Sequence, residues 1–324
     1  MDKSIGFLRD KVTSISKKQK GLTRRRSVQT PALLFLTAGI HLSLESSADW
    51  SYWGPNGPDH WPGVCQTGTK QSPINIISDE TVKTDLGPLK FVRYDFAYTG
   101  TLTNTGHSVQ IGLTGVPIFL KGGGLSSTYV FDQMHFHWGS EHTIDGNRDA
   151  LELHMVHYAK QYPNFTTAAG QDYGLVVVAV LFKIGEDDNE DLWSIVEATE
   201  AVLAWVGPSD VPIQRKIIPS LLLPKDHTTF YRYDGSLTTP NCLETVTWFV
   251  LTEKLTISQS QLRVFENVRT SNGTLKFNYR PVQKLGSRDV YHRLVGYSGA
   301  SAISRSALFL STLLITIPSL LFGP

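Results

Sequence analysis

A chain of 324 residues, 41% of them hydrophobic, is long enough for one large domain or two ordinary ones and too apolar to be a disordered tail. Its 30 basic and 29 acidic residues leave a net charge of +1, so the overall balance excludes a strongly basic nucleic-acid binder and points to no acidic substrate. Only two cysteines occur, Cys65 and Cys242; in a secreted chain such a pair reads as one disulfide, in a cytosolic one as two thiols.

The chain opens with a basic stretch that includes Lys17, Lys18, Lys20, Arg24, Arg25 and Arg26, followed by an apolar run over 31–44 and by Ser46-Ser47-Ala48. Positive flank, short apolar segment and small residues come in the order of a secretory signal, so 1–48 is expected to be a signal peptide with an unusually long basic region. The folded part is expected to run from 49 to 295 as one domain, since no repeat, low-complexity block or linker interrupts it.

Within it, the segments 118–120, 129–138, 151–158, 174–184 and 245–252 are short, apolar and bounded by turn residues, as strands should be. The run 174–184 is nearly continuous in apolar residues, which predicts a strand buried on both faces. Apolar spacing predicts helices over 190–206 and 258–268, the second with Ser258 or Ser260 as cap. Two triplets, Asn164-Phe165-Thr166 and Asn272-Gly273-Thr274, are acceptors for N-linked glycans. Small residues at 298–302, a polar spacer and an apolar tail over 307–322 with no basic stop end the chain. Pro318 interrupts that tail, and it is short for a membrane span, so 296–324 is expected to be a glycolipid (GPI) anchor signal with attachment near Ser298. Both ends therefore predict an extracellular protein held on the outer leaflet of the plasma membrane, with Cys65 and Cys242 paired.

The chemistry is concentrated in Gln133-Met134-His135-Phe136-His137-Trp138-Gly139-Ser140-Glu141-His142. On a strand, Gln133, His135 and His137 share one face and Met134, Phe136 and Trp138 the other. A lone His-x-His is weak evidence of a metal site, but 151–157 adds Glu152, His154 and Val156 on one face of a second strand. Three histidines leave a fourth tetrahedral position free, which is how a catalytic zinc is held. Gln133 and Glu152, each two residues before a histidine on its own face, are placed to fix the outer ring nitrogens.

With these strands in place, the chain from Trp50 to Arg280 resembles an α-class carbonic anhydrase, and its two terminal signals resemble those of the membrane-anchored extracellular isoenzymes. The resemblance rests on Tyr52, Asn56-Gly57-Pro58, Gln71-Ser72-Pro73-Ile74-Asn75-Ile76, Asn104-Thr105-Gly106-His107-Ser108-Val109, the two histidine strands and Gly235-Ser236-Leu237-Thr238-Thr239-Pro240. It implies a predominantly β domain with a large, twisted, mostly antiparallel central sheet of about ten strands and a few short peripheral helices. It implies reversible hydration of CO2 to bicarbonate and a proton by zinc-hydroxide attack, with Zn2+ on His135, His137 and His154. In the same resemblance Thr238 hydrogen-bonds Glu141, Thr239 positions bicarbonate and His107 shuttles protons. Val156, Val177, Leu237, Val246 and Trp248 then form an apolar wall for CO2, and bicarbonate transporters are the candidate protein partners. Cys65 and Cys242 match the disulfide of the extracellular members, which would brace the loop carrying Thr238. Thr105 and Gln110 depart from the asparagines often found near the shuttle, and a second disulfide of the anchored isoenzymes is absent. Of the other histidines, His60, His227 and His292 are expected at the surface and His142 and His157 as buried supports.

Two other readings stay open at this level. The spacing His135-x-His137-x₃-Glu141 also fits a cupin-like iron or manganese enzyme with Glu141 as ligand. A carbonic-anhydrase-like domain can also serve as a non-catalytic binding module, although such modules have lost zinc ligands that are intact here.

Overall fold

In this computed structural model the described residues are 50–204, 210–271 and 273–296. The expected signal peptide, the anchor signal from 297 onward, Asn272 and the last two residues of the 190–206 segment lie outside them. Among the described residues, no helix is long and apolar enough to cross a membrane.

The core is a mixed sheet of 13 strands, ten of them on one continuous path. Its centre runs, in spatial order, through Thr99–Asn104, Val109–Thr114, Tyr129–Trp138, Leu151–Ala159, Leu175–Gly185, Val246–Leu251 and Phe230–Gly235. Most neighbours are antiparallel, as expected, but Leu175–Gly185 runs parallel to both Val246–Leu251 and Leu255–Ser258. A parallel central strand has both faces covered, which explains its unbroken apolar run. Val176, Val178, Val180 and Phe182 enter one apolar cluster, and Val177, Ala179 and Leu181 enter a second.

Alternation does the same for Tyr129–Trp138. Met134, Phe136 and Trp138 are sealed in the first cluster, which leaves Gln133, His135 and His137 for the opposite face. The antiparallel register then sets His154 directly across from His135, Glu152 across from His137 and Val156 across from Gln133. Residues so paired stand about 4.5–5.5 Å apart at Cβ, so the register itself gathers three imidazoles. A register shift follows between Val156 and His157.

His157 projects into the core, fully buried, where it meets the Tyr94 hydroxyl and the Val176 carbonyl. Burial pushes its imidazole down to about 3. The native ring therefore stays neutral between about pH 6.5 and about 3, whereas the unfolded chain takes up a proton near 6.5. The unfolded state binds more protons in that window, so stability falls as pH falls, by up to ~1.4 kcal/mol per unit from this one group. Urea unfolding of wild type and His157→Gln across that range should show a shallower acid slope in the variant.

Helices are few and peripheral. The expected 258–268 helix is α4, Gln259–Glu266, with Ser258 as cap and Gln261 completing a capping box. The 190–206 segment opens instead as a 3₁₀ turn, Glu190–Leu192, capped by Asn189, before α3 takes over at Trp193–Ala201. Two short helices had no periodic signal: α1, Val64–Thr67, and α2, Phe165–Ala169.

Candidate functional site

The three imidazoles stand with ring centroids 4.5 to 5.1 Å apart, and one ligand nitrogen from each lies within 4.8 Å of the others. Each ring has its other nitrogen fixed. His135 Nδ1 donates to Gln133 Oε1 at 2.9 Å, His137 Nδ1 to the Asn278 carbonyl at 2.6 Å, and His154 Nε2 to Glu152 Oε1 at 2.7 Å. A carbonyl or carboxylate oxygen only accepts, so these contacts place the protons outward and the lone pairs of His135 Nε2, His137 Nε2 and His154 Nδ1 inward. Burial holds His135 well below the ordinary imidazole range, with the two neighbouring rings adding to it, and burial also lowers His137. Neutral rings with converging lone pairs are what a borderline-soft divalent ion requires.

Glu152 is the hub of the support. Its Oε1 also takes the Nδ1 proton of His142 at 2.6 Å, and its Oε2 takes the His142 backbone N–H at 2.8 Å. Burial opposes its charge, yet His142 and His154 outweigh that and keep its pKa well below the carboxylate range. The network continues through the Tyr233 hydroxyl, 2.7 Å from His142 Nε2 and 2.9 Å from Ser72 Oγ. Ser72 Oγ in turn accepts from the backbone of Ser236, two residues before Thr238. Glu152→Ala should cost 10- to 100-fold in metal affinity, the range found for such supports, and more than Gln133→Ala, because Glu152 anchors two rings. Competition for zinc against a chromophoric chelator measures both.

Glu141 is fully buried, with Oε1 accepting the Arg280 backbone N–H at 2.8 Å. Its Oε2 lies 3.7 Å from His137 Nε2, and neither atom has a hydrogen-bond partner among the described residues. The hydrogen bond between Thr238 and Glu141 implied by the resemblance is thus not formed: Thr238 lines the cavity, whereas Glu141 is packed outside the lining. Nor does Glu141 join the cluster of converging ligand atoms, so the carboxylate ligand needed for a cupin-like site is missing from it.

The histidines open into a cavity of about 380 Å³. One wall is apolar: Val156, Val177, Leu237, Trp248 and also Phe165 line it. Val246 is buried in the same apolar cluster without reaching the lining. Thr239 is on the lining, as are Thr105 and Gln110. His107, half-buried, stacks on Trp50 with ring centroids 3.7 Å apart. It borders both this cavity and a neighbouring one of about 320 Å³.

The turn that leaves the first histidine strand depends on Gly139, at φ 74°, where a Cβ would lie 2.5 Å from the Tyr279 ring. The loop after Thr238 is tied down by the Cys65–Cys242 disulfide, which spans 177 residues, and by Gln71 Nε2 donating to the Cys242 carbonyl at 3.1 Å.

Sequence reasoning missed Asn278, which is fully buried. Beyond its carbonyl on His137, its side chain accepts from Trp138 N at 2.7 Å and donates to Phe136 O at 2.8 Å and His107 O at 3.1 Å. One residue thus ties the ligand strand to the His107 loop. His292, expected at the surface, is half-buried against Tyr231, ring centroids 4.4 Å apart.

A sheet whose register converges three imidazoles on a cavity with one apolar wall makes a site able to hold a metal ion beside a small ligand. Residues 56–294 match the family described as eukaryotic-type carbonic anhydrase. The chain is 36% identical over 276 residues to carbonic anhydrase 6 of Mus musculus, covering 80% of this chain and 86% of that protein. It is 38% identical over 256 residues to putative carbonic anhydrase 3 of Caenorhabditis elegans, covering 75% and 97%. To carbonic anhydrase 4 of Oryctolagus cuniculus it is 35% identical over 246 residues, covering 72% and 79%. The chain belongs to the eukaryotic-type carbonic anhydrase family, and with it to the carbonate dehydratases.

Proposed function

We propose that this enzyme hydrates CO2 reversibly with one zinc ion on His135, His137 and His154, and that it does so at the outer surface of the cell. The observation that carries the zinc reading is the buried, unpartnered Nε2 of His137, facing the lone pairs of two rings whose other nitrogens are already engaged. An imidazole nitrogen so buried without a partner is costly unless a cation uses it. Zinc, when bound, acidifies water from a pKa of about 15.7 to about 7 and so supplies a nucleophile at neutral pH, a general figure whose standard illustration is this enzyme family.

The chain's own residues do the rest. Val156, Val177, Leu237 and Trp248 give CO2, which offers no charge to grip, an apolar seat beside the ligands. Glu141 Oε2, which has no hydrogen-bond partner among the described residues, keeps the capacity to accept from the Thr238 hydroxyl once the two are brought together in the loaded enzyme. A hydroxyl that donates there keeps only acceptor capacity toward the substrate side, which orders the reacting groups. Thr239 positions bicarbonate, and His107 carries protons between the cavity and bulk water. His107→Ala should slow turnover at high CO2, with partial recovery on adding imidazole buffer, read by stopped flow.

The surface location is supported by the order of residues at both chain ends and by the formed Cys65–Cys242 bond, which suits an oxidising compartment. Two measurements test the reading. Stopped-flow hydration of CO2 by purified protein should be fast and blocked by an aromatic sulfonamide; a rate equal to buffer with zinc bound would sink it. A phosphatidylinositol-specific phospholipase should release the protein from cells, and retention would point to a different attachment.

A further inference from the structure

Asn164 occupies an unusual position for a glycan acceptor. It is the N-cap of α2, with Oδ1 accepting from the Thr167 backbone N–H at 2.9 Å. Its Nδ2 makes no hydrogen bond among the described residues, and Asn164 and Thr166 are both exposed. Glycosylation substitutes Nδ2 and leaves Oδ1 free to accept, so the helix cap survives the modification. The next residue, Phe165, lines the catalytic cavity and packs against the cluster that holds Val156, Val177 and Trp248. Consecutive Cα atoms are about 3.8 Å apart, so a sugar on the exposed Asn164 starts within one residue of the cavity wall.

We propose that Asn164 carries an N-linked glycan that screens the cavity mouth, slowing the entry of bulky ligands while CO2 and bicarbonate pass. The inference rests on the cell-surface reading. In the modifying step the Nδ2 nitrogen bonds to the anomeric carbon of an oligosaccharide carried on a lipid diphosphate. The bond from that carbon to the phosphate oxygen breaks, the lipid diphosphate leaves, and Nδ2 gives up one proton. The secretory pathway supplies the donor and the transferase. A branched glycan is bulky and hydrated, and tethered beside the cavity opening it competes for the approach space of large molecules.

The test uses the full chain expressed in cultured secretory cells as wild type, Asn164→Asp and Thr166→Ala. The first variant keeps an acceptor for the helix cap, and the second keeps Asn164 itself. Peptide mass and endoglycosidase sensitivity report occupancy at Asn164. Gln110→Cys, added to all three, places a thiol on the cavity wall, to be labelled by a small maleimide and by the same maleimide on dextran. Dextran labelling should be roughly tenfold slower in the glycosylated protein than in either variant, small-maleimide labelling equal in all three, since restricted approach acts on association rate. With the thiol omitted, CO2 turnover should be equal as well. Surface protein with Asn164 unmodified, or equal dextran rates, overturns the proposal alone. A protein that never enters the secretory route and is unmodified overturns both this proposal and the cell-surface reading.

Discussion

Replacing His154 by alanine is expected to remove CO2 hydration and tightly bound zinc together, with kcat/KM falling by ~10⁴-fold or more, because a hydroxide-strength nucleophile is then no longer available at neutral pH. His154 stands across the register from His135, so its loss leaves two imidazoles on a single strand. Glu152 would keep its two contacts to His142 and lose only the one to His154, which confines the structural damage. One missing donor to a buried carboxylate costs about 1–3 kcal/mol, too little by itself to unfold a domain of this size. Stopped-flow assay, metal analysis and a urea midpoint on the same preparation separate these effects. Inactive, zinc-free and folded is the expected result; a folded variant that keeps its rate without zinc would remove His154 from the ligand set.

The largest stability effect is expected from Arg280→Ala. Arg280 is 1% exposed. Its Nη1 donates to Gln71 Oε1 at 2.8 Å and to the Ser72 carbonyl at 2.9 Å, and its Nη2 to the Cys65 carbonyl at 2.9 Å, while the guanidinium lies over the Trp61 ring. Burial lowers its pKa, and the nearby Glu141 carboxylate works against that loss. Truncation leaves three buried acceptors and Glu141 without that charge, at a cost of about 3–5 kcal/mol. For a domain of this size that is roughly 10 °C or more in Tm. Arg280→Lys should recover little, because one ammonium cannot reproduce the planar fork. Urea unfolding of the three proteins measures the loss; a Lys variant as stable as wild type would show that charge alone suffices.

The parts of the site legible in the sequence were those written with period two on one strand. Gln133, His135 and His137 share a face by alternation, and so do Glu152, His154 and Val156. The pairing of His154 with His135 was not legible, because register is a property of two strands together. Asn278 was invisible for a related reason: the group that holds His137 is a backbone carbonyl 141 residues away, which no side-chain pattern encodes. The Ser72, Tyr233 and Ser236 links, and the three acceptors of Arg280, likewise join distant segments. In the fold, strand positions followed from apolar runs bounded by turn residues, but the parallel pairings of Leu175–Gly185 did not, since a doubly buried run gives no direction. The 190–206 helix began late because Asn189 caps a 3₁₀ turn rather than an α-helix.

CO2 hydration is proposed to depend on one zinc ion held by His135, His137 and His154. Titrating zinc-stripped protein with Zn2+ while following CO2 hydration in the same sample tests that dependence. Activity should rise in proportion to added zinc and stop rising at one equivalent per chain. Full activity before zinc is added, or none once one equivalent is bound, would contradict it.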